Sequence, residues 1–184
     1  MKADQLTIEQ IETGMSDVLA SPQDHGKLKA IFIRPGQDQR EYQEAGYLSP
    51  EGGLAGDRWA TSEGKDGKPN PRAQVSLMNS RLLKMIAGEE ERMALAGDNL
   101  IVNLDLSEAN MPAGQRLTVG EALLEVTNLP HTGCGKFAER FGPDAVRYIN
   151  AAERKPLRLR GLYARVLKAG TVRVGDVIQK VLDG

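Results

Sequence analysis

The sequence predicts a mixed β fold with α: antiparallel strands closed into a barrel, with several short flanking helices. Three observations predict it. Short alternating or β-rich runs recur along the chain, among them Leu28 to Arg34, Leu100 to Leu104 and Ala122 to Asn128. Glycine-bearing turns such as Gly97-Asp98-Asn99, Gly120-Glu121 and Gly175-Asp176 separate them. Helical periodicity is confined to a few short stretches. Many short strands with glycine turns and few helices suit a closed antiparallel sheet.

The elements follow in order. Residues 7–20 form an amphipathic helix opened by a capping box, Thr7-Ile8-Glu9-Gln10, with Ile8, Ile11, Met15, Val18 and Leu19 on one face. Ser21 to Gly26 is a turn into the strand Leu28 to Arg34, which Pro35-Gly36 ends. Residues 35–73 are polar, rich in Gly and Pro, and without a sustained period, the signature of a long binding loop with a flexible tip at Lys65 to Pro71. Gln74 to Met78 is a strand; Asn79 caps a helix over Ser80 to Ala87, stopped by Gly88. Glu89 to Ala96 is a short helical stretch with acids at its start. The strand Leu100 to Leu104 follows, and then a hairpin of Arg116 to Val119 with Ala122 to Asn128. A helix begins near Cys134, and a second begins at Gly142-Pro143-Asp144 and runs to about Ala152. Leu157 to Lys168 is a strand broken by Gly161 and turned at Gly170; Val172 to Val174 and Val177 to Leu182 complete the sheet.

At 184 residues the chain is read as one domain, with a helical extension over 1–26 and a core over about 28–181. No apolar run approaches the ~20 residues of a membrane span. Met1 to Ala20 carries Asp4, Glu9, Glu12 and Asp17, unlike a secretory or transit peptide. One cysteine cannot form an internal disulfide, so a reducing cytoplasm is the expected setting.

The chemistry concentrates in Leu129-Pro130-His131-Thr132-Gly133-Cys134-Gly135-Lys136-Phe137, which holds the only cysteine and one of two histidines. Thr132 as N-cap would set Cys134 in the first helical turn, beside Lys136. There the free N–H groups and the helix dipole favour a thiolate, hence a nucleophile or a metal ligand. The alternative is a small buried hydrophobe, since Cys134, Phe137, Ala138 and Phe141 share one face. Residues 134–165 hold eight basic and three acidic side chains, a net +5 in a chain of net −1. That block is either a solvated helix face or an anion site. Candidates for the anion are Lys136, Arg158 and Arg160, with Arg58 from the glycine-rich Gly52-Gly53-Leu54-Ala55-Gly56-Asp57-Arg58-Trp59, whose planar fork suits a phosphate or carboxylate and equally a surface salt bridge. Asn99 adds a neutral hydrogen-bond donor. Nucleic acid is not the expected partner: the net charge is −1 and aromatics are 4%.

In order and spacing these pieces resemble the MOSC family, the domain named after the C-terminal part of molybdenum cofactor sulfurases. The resemblance rests on Gly53-Leu54-Ala55-Gly56-Asp57-Arg58, Gly97-Asp98-Asn99-Leu100, Leu117-Thr118-Val119-Gly120 with Leu124-Glu125-Val126-Thr127, Cys134, Arg160-Gly161-Leu162-Tyr163-Ala164 and Val172-Arg173-Val174-Gly175-Asp176. Where many relatives have histidine after Gly-Asp-Arg, this chain has Trp59. The resemblance implies a barrel-like fold and a protein of molybdenum cofactor (molybdopterin), with Cys134 as catalytic thiol and metal ligand. The cofactor phosphate would take Arg58, Asn99, Lys136, Arg158 and Arg160. It further implies sulfur transfer, or reduction of a small N-hydroxylated substrate. A separate cysteine desulfurase, the bearer of any pyridoxal phosphate, or an electron-transfer protein would then be the partner. The alternatives are a metal-free persulfide carrier and a non-catalytic module with a structural cysteine.

Overall fold

The computed structural model describes residues 5–182; Met1 to Asp4 of the expected N-terminal extension, with Asp183 and Gly184, lie outside the described residues. Helix α1 (Ile8–Leu19) starts at Thr7, whose side chain accepts from Gln10 N while Gln10 caps Thr7 N in return. Ile11, Met15 and Val18 are buried. Leu19, expected on the same face, is exposed; at 100° per residue it lies about 80° round the helix from Ile11, on the stripe's edge.

Seven strands close a mixed barrel: β1 (Gly26–Ile33), β5 (Val75–Asn79), β6 (Leu100–Asn103), β7 (Arg116–Val119), β8 (Ala122–Val126), β9 (Leu162–Lys168) and β11 (Val177–Val181). Their order is β11-β7-β8-β9-β5-β6-β1, and β1 pairs back to β11 through Gly26 and Lys27. The strands pair antiparallel except β5 with β6, which run parallel. The connection between those two carries α2 (Ser80–Ala87) and a 3-10 helix, Glu90–Ala96, across the outside of the wall. Asn79 ends β5 and caps α2 at once, its side chain accepting from Arg81 N and Leu82 N. Gly88, at φ +75°, stops the helix as expected.

The period-2 alternation of the strands builds two apolar layers. Val75, Leu77, Leu100, Val102, Leu117, Leu124, Ala164 and Ile178 point into the barrel. Met78, Ile101, Ala30 and Phe32 point outward against α1, α2, α3 (Gly135–Phe141) and α4 (Pro143–Asn150). Strand β1 serves both layers. Leu28 and Ile31 both face inward although three residues apart, because the register shifts between Leu28 and Ala30. A bulge adds one residue and restores the alternation beyond it.

The chain from 35 to 73 is more ordered than its composition suggests. It carries β2 (Glu41–Gln43), appended to β1, then β3 (Ala45–Ser49) and β4 (Gly53–Leu54), which form a three-stranded sheet with β10 (Gly170–Arg173). The partner of β3 lies some 120 residues onward, beyond the reach of a local period. Two further expectations are corrected. The strand expected over 157–168 begins only at Leu162, because Ala152–Leu157 is a 3-10 helix and Arg158 is left-handed at φ +47°. Gly170 opens a strand, where a turn was expected. Gly161 joins these parts at φ +101°; a Cβ there would stand 2.0 Å from the Leu77 carbonyl oxygen, so only glycine lets the turn lie against β5.

Candidate functional site

Asp57 is the centre of one buried group at the barrel mouth. The end of β1 delivers Arg34 to it. Arg34 Nε and Nη2 each donate to the carboxylate at 2.9 Å, and the Arg34 backbone N–H donates at 2.9 Å. Asn99 Nδ2 and Trp59 N complete the ring at 3.0 Å. The Asp57 side chain is 1% exposed. Burial would raise its carboxyl, but the Arg34 hydrogen bonds and charge outweigh that and hold it below the ordinary carboxylate value. Asp57 therefore positions its neighbours. Its fork-on-fork pairing presents Arg34 to a cleft of about 490 Å3, lined by Arg34, Arg58, Trp59, Glu63 and Tyr163.

A second buried group stands on the other strands. Asp98 is wholly buried and accepts from Arg160 Nη1 at 2.5 Å, and Arg160 also donates to the Ala96 carbonyl at 2.9 Å. The free oxygen of Asp98 lies 3.7 Å from His131 Nδ1, and neither atom has a hydrogen-bond partner. His131 stacks on Tyr163 with ring centroids 4.3 Å apart and planes at 27°. Burial pushes His131 down to about 4, against the pull of Asp98 and with repulsion from Arg160 and Arg34. It is neutral at pH 7.

That depression makes a pH prediction. A histidine lowered from 6.5 to about 4 binds fewer protons folded than unfolded. Its contribution is full above pH 6.5 and is lost as pH falls toward 4. At about 1.4 kcal/mol per unit the loss approaches about 3 kcal/mol. Urea unfolding of His131→Phe should show a smaller fall in stability across that window than the native protein. Equal falls would mean that His131 is not held neutral.

Cys134 is exposed. It is itself the N-cap of α3, with extended backbone at φ −115°, where Thr132 was expected; its carbonyl accepts from Ala138 N and its side chain makes no capping bond. The shared apolar face divides: Phe137 and Phe141 are buried while Cys134 stays outside. Burying those two rings anchors the helix, at about 1.5–3 kcal/mol each. Cys134 is not among the residues that line the arginine cleft.

Of the five expected anion ligands, Arg58 alone lines that cleft. Asn99 is fully buried, and its amide is spent on Asp57, the Phe32 carbonyl and Ser76. Arg160 is buried against Asp98. Lys136 pairs with Asp38 at 3.0 Å. Arg158 donates to the Met111 carbonyl and, with Arg160, lines a separate cavity of about 280 Å3 that also takes in His131, Lys155 and Glu108, so two of the expected ligands meet there. The basic block is thus largely paired, the solvated-face reading. Arg140 joins Lys136 on Asp38, Arg154 meets Glu12 and Glu153, and Arg165 meets Glu125.

Arg34, which the sequence leaves unmarked, takes its place in the cleft, while Arg40 lines a separate cavity of about 1080 Å3. Arg34 carried one signal, a basic residue closing a strand just before Pro35-Gly36. Arg40 carried none. Its Nε is buried without a partner. Burial, then the charges of Arg140, Arg34 and Arg58, push it below the ordinary guanidinium range, against the pull of Asp38. In the cleft itself Arg34 and Arg58 stand with Glu63 on the wall and Asp57 paired to Arg34.

The MOSC domain model matches residues 64–179, more than half of the chain. The chain belongs to the MOSC family. The matched span includes Cys134, His131 and Tyr163, while Arg34, Asp57 and Arg58 precede it. Solved structures share the fold of this MOSC chain. The YuaD protein from Bacillus subtilis is 18% identical, with 84% of this chain and 94% of that one covered and a TM-score of 0.60. YiiM from Geobacillus stearothermophilus is 19% identical, with 86% and 76% covered and a TM-score of 0.56. YiiM from Escherichia coli is 20% identical, with 86% and 71% covered and a TM-score of 0.54. No curated protein matches the sequence. Among the described residues, no helix is long and apolar enough to cross a membrane.

Proposed function

We propose that this MOSC protein binds molybdenum cofactor at the barrel mouth, with its phosphate between Arg34 and Arg58 and Cys134 as the thiol that meets its sulfur or metal end. The observation that carries the reading is the arginine cleft: Arg34, braced by Asp57, and Arg58 line it together, and the chain's cysteine, Cys134, is exposed. The donor set fits. Among the described residues no three His, Cys, Asp or Glu side chains gather to hold a metal. A lone exposed thiolate suits a soft metal that brings its other ligands with it, and suits poorly an ion held by protein alone. The two arginine forks suit the phosphate.

When bound, the cofactor would supply two-electron chemistry on a small molecule or serve as a sulfur acceptor. The chain's own part is binding and orientation. Arg34, braced by Asp57, presents a fixed guanidinium. Arg58, exposed and without a carboxylate partner among the described residues, closes on the ligand. The exposure of Cys134 also favours a second reading, in which the thiol carries a persulfide received from a separate donor such as a cysteine desulfurase. An electron-transfer partner would be needed for the reductive chemistry.

Titration with inorganic phosphate tests the cleft. Arg58→Ala should weaken binding roughly ten- to a hundred-fold, the loss of one charge-assisted hydrogen bond. Unchanged affinity would remove Arg58 from the site.

A further inference from the structure

We infer that the phenol of Tyr163 donates a hydrogen bond to the anion held by Arg34 and Arg58, and that the buried His131 ring stacked on it fixes the phenol in place. The inference rests on the cleft reading given above and names a new ligand-facing residue and a positioning residue for it.

Four observations converge. Tyr163 lines the cleft beside both arginines. Its hydroxyl has no hydrogen-bond partner among the described residues, while its backbone carbonyl is spent on Thr127. The ring rests face to face on His131 at 4.3 Å. Behind His131 stands the Asp98 oxygen, buried and otherwise unpartnered, 3.7 Å from Nδ1.

Physical chemistry connects them. The His131 side chain is 9% exposed and faces the Asp98 oxygen at 3.7 Å without a hydrogen bond. A buried ring is a rigid platform, and an aromatic partner stacked on it loses little further freedom when a ligand binds. Burial, with the charge of Asp98, raises Tyr163 above its ordinary value, so the phenol keeps its proton and remains a donor. A neutral donor between two guanidiniums suits an oxyanion, because it adds a hydrogen bond without adding like charge. His131 thereby acts through Tyr163.

The test titrates inorganic phosphate into the purified protein. It follows the emission of Trp59, the single tryptophan and a residue of the cleft, with calorimetry alongside. Tyr163→Phe should weaken phosphate roughly ten-fold or more while leaving the melting temperature near that of the native protein. His131→Ala should weaken it in the same direction, His131→Phe should restore affinity by restoring the platform, and Tyr163→Phe/His131→Ala should be no weaker than Tyr163→Phe alone. A merely structural His131 would lower the melting temperature and leave phosphate affinity of the folded protein unchanged, which overturns the positioning role. If His131→Ala does not fold, His131→Leu fills the space without a ring and serves instead. Native affinity in Tyr163→Phe overturns the donor role while the arginine cleft stands. Failure of the native protein to bind phosphate, or equal binding by Arg58→Ala, overturns the cleft reading and this inference together.

Discussion

Asp57→Ala is expected to cost about 3–5 kcal/mol of folding stability and to abolish anion binding at the barrel mouth. The carboxylate accepts from Arg34 three times, from Asn99 and from Trp59. Its removal strands the partly buried Arg34 guanidinium and the fully buried Asn99 amide without their acceptor. Unsatisfied buried donors cost more than the bonds themselves contribute. The binding effect follows from the same geometry, since a guanidinium without its brace samples many rotamers and no longer faces the cleft. Asp57→Asn keeps the volume but loses the charge, and it should fall between. The depressed carboxyl adds a pH dependence: the stabilisation is present above the ordinary carboxylate range and is lost as pH falls through the lowered value. Urea unfolding with phosphate titration measures both effects. A loss below about 1 kcal/mol would mean that Asp57 braces nothing.

Cys134→Ser should have the opposite profile. The thiol is exposed and makes no capping bond, so stability should change by less than about 0.5 kcal/mol. Phosphate affinity should stay within about two-fold, because the arginines carry it. The chemistry should disappear. Serine is a far poorer nucleophile at neutral pH and a harder ligand, so it neither carries sulfane sulfur nor holds a soft metal. Incubation with a persulfide donor, followed by intact mass, reads the sulfur directly. Full activity of Cys134→Ser at saturating cofactor would make the stretch around it architecture.

Much of the fold was legible because local rules governed it. Asn79 announced α2, Thr7 and Gln10 announced α1, and alternation along Leu28 to Arg34 announced β1. The sheet of β3, β4 and β10 was hidden because its strands are two to five residues long and the β3–β10 pairing is remote. At the site, residue type was informative and partnership was not. Sequence marked Arg58, Arg160 and Lys136 as equal cations. Only the fold reveals that Asp98 neutralises one and Asp38 another, while Arg34, unmarked, turns into the cleft. Asp57 belonged to a legible motif, but its work is to brace a residue 23 positions earlier in the chain. His131 stood in the marked stretch without a role, because the burial that keeps it neutral is supplied by distant strands.

The most direct measurement is the molybdenum content of the protein purified from a host that makes the cofactor, compared with Cys134→Ser and with Arg34→Ala/Arg58→Ala. Stoichiometric molybdenum in the native protein, sharply reduced in both variants, is the predicted result. Native protein free of molybdenum, or molybdenum retained undiminished by Cys134→Ser, would contradict the account.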